Sequence, residues 1–301
     1  MYGYVRARQL EGTYSDDCRI GTWLTSVIRI SRGWGDPREA EWPYDGSAAN
    51  WPPKEPVQID QLAKPFRICA YQRVRTVDEC KIALAQDCPV SASFGIAPDD
   101  WKSPPRGQIP MPGAGTILTS FHTVLMIGYD DAKRLFLFRN SWGVHWGDDG
   151  HGFLPYSYFD RYQTEAWTVP PGGAACRARA GSGVLEMTWG IPDSFAPTPL
   201  HGFEYFDARN DECVGWAFVV ERQGFADIEE FFVRPAYRKD YGGRLAALIR
   251  ASPHLSGRSL RLWVPHADRQ NISTPGFTKT LQRLGLTVRP ASRRWAPYVA
   301  M

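Results

Sequence analysis

Two apolar runs joined by a short polar turn dominate residues 121–156, FHTVLMIGYDDAKRLFLFRNSWGVHWGDDGHGFLPY. Runs of this length, rich in β-branched and aromatic residues and separated by Asp-Asp-Ala-Lys, predict an antiparallel hairpin. His122 opens the first run and Asn140 closes the second, and each lies nine residues from position 131. Counted symmetrically about that turn, the two side chains stand at roughly opposite positions of neighbouring strands, within reach of each other. An imidazole oriented by an amide is the base half of a Cys-His-Asn nucleophilic site. Taken alone, the same pair also fits an ordinary strand start and strand end.

The surrounding residues narrow the choice. His122-Thr-Val-Leu-Met-Ile-Gly-Tyr-Asp, Asn140-Ser-Trp-Gly, Trp146-Gly147 and Gly150-x-Gly152-Phe153 succeed one another at fixed spacings. Together they resemble the C-terminal half of papain-like cysteine peptidases, as does Glu41-Trp-Pro-Tyr-Asp45, a string common in bacterial members. The resemblance implies hydrolysis of a peptide or protein substrate without a cofactor. It also implies that His122 is the general base, that Asn140 orients it, and that Trp142 shields the pair from water and so strengthens their hydrogen bond.

The nucleophile is not legible. In that family it lies about 130–150 residues before the His and Asn, in a C-G-[SA]-C-[WY] string. His122 has only 121 residues before it, and the string does not occur. Cys18 is the sole early cysteine, within Ser15-Asp-Asp-Cys-Arg-Ile-Gly. Its acidic neighbours oppose a thiolate, and it reads as structural. Residues 1–12 resemble the segment after the nucleophile helix in relatives, so the chain is expected to begin just downstream of the catalytic cysteine. Two alternatives stay open: the native protein carries that helix, or this half is an inactive remnant kept as a fold or a binding surface. Ser120-Phe121 stand where relatives usually have small glycines, and Phe121 is expected to crowd the approach to His122.

Composition bounds the remaining classes. Apolar residues make up 43% and aromatic residues 13% of the 301-residue chain, which is the make-up of packed domains. A formal net charge of +3 is too small to argue for nucleic acid or an anionic membrane. The opening residues are polar and charged, unlike a secretory signal, and the apolar run at 124–127 is far too short to span a bilayer. A cytoplasmic protein without nucleic-acid or membrane partners is the expectation. Six cysteines at irregular spacings form neither a zinc pair nor a dense disulfide framework, and Cys69, Cys80 and Cys88 read as reduced, packed thiols.

Periodicity predicts a helix over 20–30, a strand over 66–74, a helix over 77–86 capped by Thr76 or Asp78, and a strand over 89–96. The Pro/Gly-rich segment 98–115 predicts a long loop or flap over the cleft, and 166–169 a strand closing a small barrel. Residues 170–183, PPGGAACRARAGSG, read as a linker. Beyond it, 214–221 and 226–233 predict a hairpin, followed by Val233-Arg-Pro-Ala-Tyr-Arg-Lys-Asp-Tyr-Gly-Gly-Arg-Leu, a strand, a basic glycine-containing turn and a helix. Free backbone N–H groups at such a helix start favour a phosphate.

This second string resembles the acetyl-CoA pyrophosphate loop of GNAT acyltransferases, and FTKTLQRLGLTV at 277–288 resembles their later helix and turn. The resemblance implies acetyl-CoA held by Val233, Arg238, Lys239, Tyr241, Gly242, Gly243 and Arg244. Tyr241 replaces a glycine of the pattern, and Leu281 stands where relatives carry the tyrosine that protonates the leaving thiolate. Glu229 and Glu230 are candidate bases, of which strand alternation sends one outward. The expected architecture is α+β: a papain-like fold with a truncated helical half over 1–169, then an α/β GNAT-like domain over 184–301.

Overall fold

The computed structural model describes residues 1–18, 20–45, 47, 50–169, 185–189, 200–207, 212–262, 264, 268 and 275–286. The linker expected at 170–183 lies outside them. The chain divides into two units, Met1–Arg179 and Ala180–Met301.

The first unit opens with a helical layer. Helices α1 (Tyr2–Glu11) and α2 (Leu24–Gly33) pack with the short α3 (Ile59–Ala63) around Tyr2, Val5, Ile30, Trp42 and Ile59. Helix α1 stops at Gly12, whose φ of 70° closes a left-handed cap that donates to Arg8 O and Gln9 O. Arg8 is buried, and its guanidinium donates to the carbonyls of Thr13 and Asp17 at 2.6 and 2.8 Å, wrapping the loop toward Cys18 around itself.

Helix α2 starts at Leu24, four residues later than its apolar spacing predicts, because the chain is still extended at Trp23 and no side chain of the helix itself caps it. Two carboxylates supply the cap. Glu11 accepts from Trp23 N at 2.9 Å, and Glu165 accepts from Leu24 N at 3.1 Å and Thr25 N at 3.0 Å. Glu165 also accepts from the Thr25 hydroxyl and, at 3.3 Å, from Trp167 Nε1. A carboxylate on unpaired N–H groups at the positive end of a helix satisfies both partners and the dipole. Glu165 lies in the sheet, so this cap fastens the helical layer to the strands.

The sheet has six strands: β1 (Gln72–Arg73), β2 (Val90–Ile96), β3 (Ser120–Asp130), β4 (Leu135–Arg139), β5 (His151–Pro155) and β6 (Gln163–Thr168). Their order is β1-β6-β2-β3-β4-β5, with every pair antiparallel. Helices α4 (Val77–Ala85), α5 (Pro98–Lys102) and α6 (Tyr156–Tyr162) close it over a core that includes Phe94, Met126, Phe136, Phe138, Trp101 and Phe159. Thr76 caps α4 by accepting from Glu79 N.

Two expectations need correction. The strand predicted over 66–74 shrinks to two residues, because residues 64–66 form a 3-10 turn around Pro65. The segment 98–115 is not a free flap, since Trp101 is fully buried and Ile109, 2% exposed, donates its backbone N–H to Phe153 O.

The second unit is a five-stranded sheet of β7 (Leu185–Trp189), β8 (Leu200–Asp207), β9 (Glu212–Arg222), β10 (Phe225–Val233) and β11 (Ser259–Leu262), in the order β11-β10-β9-β8-β7. Strand β11 runs parallel to β10 and is reached through α7 (Arg238–Ala251), while α8 (Pro275–Arg283) packs on α7. Parallel neighbours need such a crossover, because a tight turn can only return the chain antiparallel.

Replacing Glu165 with Ala leaves two backbone donors at the start of α2 without their acceptor. We expect a loss of about 3 kcal/mol in the unfolding free energy of the first unit, measured by urea titration of tryptophan fluorescence. Glu165→Gln, which keeps one acceptor oxygen, is expected to lose about half of that.

Candidate active site

Strand β3 buries Val124 and Met126 on one face and exposes Phe121, Thr123, Leu125 and Ile127 on the other. His122 shares the buried face. The register to β4 pairs Asp130 with Leu135 and Gly128 with Leu137, then shifts by one between Met126 and Gly128, so that Met126 pairs with Phe138 and Leu125 with Arg139. Ile127 is therefore the unpaired residue of a β-bulge. Continued beyond Arg139, this register sets Asn140 opposite Val124, a diagonal step from His122 on the same face. Symmetric counting about 131 misses this, because the turn occupies residues 131–134 and the bulge adds a residue to one strand only.

The side chains meet. His122 Nε2 lies 2.7 Å from Asn140 Oδ1, and Oδ1 also accepts from Ser141 N at 2.8 Å. The second donor identifies this atom as the amide oxygen, since an NH2 group there would face an N–H. An oxygen at Nε2 requires the proton on Nε2, so Nδ1 of the neutral ring keeps its lone pair. Among the described residues Nδ1 has no hydrogen-bond partner. Asn140 Nδ2 is buried and likewise unpartnered. Turning the amide over would orphan the oxygen instead and set the NH2 group against Ser141 N–H.

Aromatic rings enclose the imidazole. Trp142 stacks on it with centroids 4.3 Å apart and planes 28° apart, while itself 43% exposed. Trp101 meets the ring edge-on at 5.7 Å and 80°. Trp146 stands edge-on to Trp142 at 5.7 Å. Trp101 escapes a motif reading because it sits on a five-residue helix too short to show a period; its advance signal is a large aromatic in an otherwise polar stretch. Burial holds the His122 pKa below the ordinary imidazole value, and the bond to Asn140 opposes that shift more weakly.

Cys18 is half-buried beside α1, where its carbonyl accepts from Tyr4 Oη at 3.1 Å. It forms no hydrogen bond with His122. Phe121 is 56% exposed and stands on the face of β3 opposite His122. Among the described residues no group of three His, Cys, Asp or Glu side chains is arranged to hold a metal ion.

In the second unit, the turn after β10 is made by Pro235–Tyr237, and the expected glycine turn is instead part of α7. Val233 ends β10, and Arg238 at the first position of α7 donates from Nε to Val233 O at 3.3 Å. No side chain caps α7, and Arg238, Lys239 and Arg244 are exposed. Tyr241 packs edge-on to Tyr205 and Tyr237, with the Arg244 guanidinium 5.4 Å from its ring centre. Gly242 and Gly243 face α8, where a Cβ on Gly243 would lie 1.4 Å from Arg283 Nη1. Leu281 of α8 is buried. Glu229 and Glu230 are both buried, 2% and 0% exposed, because a register shift between Ile228 and Glu230 breaks the alternation that would have sent one outward.

Residues 10–161 match the family model described as papain family cysteine protease. An uncharacterized peptidase C1-like protein of Acanthamoeba polyphaga mimivirus is 26% identical over 185 residues, 56% of this chain and 57% of that protein. Pro-cathepsin H of Medicago truncatula is 38% identical over 77 residues, 25% of this chain and 22% of that protein. The chain thus spans little more than half the length of the first relative and less than a quarter of the second. Among solved structures, xylellain, a cysteine protease from Xylella fastidiosa, superimposes with a TM-score of 0.50 at 29% identity, covering 56% of this chain and 68% of that one.

A histidine whose folded pKa is depressed binds a proton less readily in the native than in the unfolded state. Its contribution to stability is complete above the unfolded value of about 6.5 and is lost as pH falls through the lower folded value. The urea midpoint of the first unit is expected to fall more steeply on acidification in the unsubstituted protein than in His122→Phe, and paired titrations across that range measure the difference.

Proposed function

Because this chain belongs to the papain family of cysteine proteases, we propose that its first unit carries the base half of a peptide-bond-hydrolysing site. His122 is the general base, Asn140 its orienting partner and Trp142 its cover. The observation that carries the reading is the 2.7 Å contact between Nε2 and Asn140 Oδ1, which leaves Nδ1 unbonded. Nδ1 takes the proton of a thiol, the sulfur attacks the substrate carbonyl carbon, and the amine leaves with the proton returned from Nδ1. Water then cleaves the thioester, with Nδ1 again taking a proton. The chemistry runs on side chains and water, without a cofactor.

Cys18 is not the thiol in this reading, since it lies beside α1 and forms no hydrogen bond with the imidazole. The stripe of Phe121, Leu125 and Ile127, exposed by 56%, 36% and 38%, supports a further element docked on that outer face of β3. The 301 residues alone are then a peptidase half without proteolytic activity.

A second reading, acyl transfer from acetyl-CoA by residues 184–301, is favoured by the β10–α7–β11 crossover. The uncapped start of α7 beside exposed Arg238 and Lys239 fits a diphosphate. Val233, Tyr241, Gly242, Gly243 and Arg244 complete the candidate surface, although the two glycines are equally accounted for by the close approach of α8. When bound, acetyl-CoA would supply an activated acyl group.

Two measurements test these readings. The purified chain is expected to leave unfolded casein intact, whereas the chain extended by an amphipathic helix bearing a cysteine is expected to cleave it, with loss of about a thousandfold or more in His122→Ala. Thiol-dependent cleavage by the 301 residues themselves would overturn the assignment of Cys18. Calorimetric titration with coenzyme A is expected to show saturable binding weakened about tenfold in Arg238→Ala; no binding removes the second reading.

A further inference from the structure

An imidazole held by one hydrogen bond is not yet fixed, because the terminal torsion of histidine is broad and two-fold, and its rotamer energies do not choose which nitrogen faces outward. The bond to Asn140 makes that choice, and neighbouring walls must hold the ring plane in line with it. Trp142 supplies one face, but it is partly exposed at the surface. The other wall is Trp101, fully buried on the five-residue helix α5.

Resting on the reading of His122 as a base, we propose that Trp101, clamped by Tyr158, is a positioning residue that holds the imidazole plane with Nε2 on Asn140 and Nδ1 outward.

The clamp is built from polar ties to three separate parts of the unit. Trp101 Nε1 donates to Tyr158 Oη at 3.2 Å, and Tyr158 Oη donates to Gly95 O at 3.0 Å. Gly95 comes directly after Phe94, the β2 residue that pairs with His122 itself. The carbonyl of Trp101 accepts from Trp146 Nε1 at 2.7 Å. Trp101 is therefore tied through its indole to α6, through Tyr158 to β2, and through its backbone carbonyl to the loop that carries Trp142. Its ring lies edge-on to both His122 and Trp142, at 5.7 and 6.5 Å, so that the three rings form a closed triangle. A swing of the imidazole away from Asn140 would drive it into one of the two indoles. Among the described residues no charged side chain bears on the ring; burial and Asn140 are what act on it. A core role alone would need the bulk of Trp101 but not the direction of its N–H, and Tyr158→Phe separates the two.

The test is nitrogen-detected NMR of the imidazoles in the full 301-residue chain, with Tyr158→Phe and Trp101→Phe compared against it. In the unsubstituted protein His122 is expected as the Nε2–H tautomer, with nuclear Overhauser contacts from its ring protons to those of Trp101. In both variants the tautomers of His122 are expected to mix and its titration midpoint to move toward that of a free imidazole. An unchanged His122 tautomer and midpoint in either folded variant overturns the positioning role. So does the absence of contacts between the two rings in the unsubstituted chain, a readout that needs no variant to fold. A wild-type Nδ1–H tautomer would instead overturn the base assignment itself, which distinguishes the two failures.

Discussion

Side chains alternate along a strand, so one unpaired residue transfers everything beyond it to the opposite face. Ile127 is that residue in β3. Had the ladder run unbroken from the turn, Asn140 would stand opposite Leu125, and His122 would point away from it. With the bulge, Asn140 falls opposite Val124, and His122 joins it on the buried face. The tautomer of the ring, the direction of its free nitrogen and the stacking of Trp142 all depend on that single shift. The same shift leaves Phe121, Leu125 and Ile127 as an apolar stripe on the outer face.

The helical layer is held to this sheet from its other side. Helix α2 presents unpaired N–H groups, and the buried Glu165 of β6 meets them with both oxygens. Strand β6 pairs with β2, and β2 pairs with β3. The cap and the His–Asn pair thus belong to one continuous ladder, with Ser93 of β2 set between Glu165 and Thr123. Whatever fixes α2 also fixes its seat on β6 and β2, and just before the helix Ile20 and Trp23 remain exposed by 39% and 37%.

Much of this was legible in the residues. The pairing of His122 with Asn140 comes from two apolar runs and a turn, and the Thr76 cap from its place before an amphipathic run. Symmetric counting nevertheless reached the right partners by the wrong register. The run Val124-Leu-Met-Ile127 is apolar at every position, so nothing in it marks which residue drops out of the ladder. The same blindness let Glu229 and Glu230 be read as alternating, when a bulge buries both. Trp101 was hidden for a different reason. Its role comes from contacts with residues more than twenty and more than fifty positions away, which local pattern does not encode. The glycines of α7 mark a close approach, and only the packing of α8 names one cause of it.

The chemistry proposed for this site stands on the protonation of one ring. Neutron diffraction from deuterated crystals of the 301-residue protein, grown near neutral pH, observes it directly. The structure predicts deuterium on His122 Nε2, in line with Asn140 Oδ1, and none on Nδ1. Deuterium on Nδ1, or an Asn140 side chain turned to the outer face beside Leu125, would contradict the account.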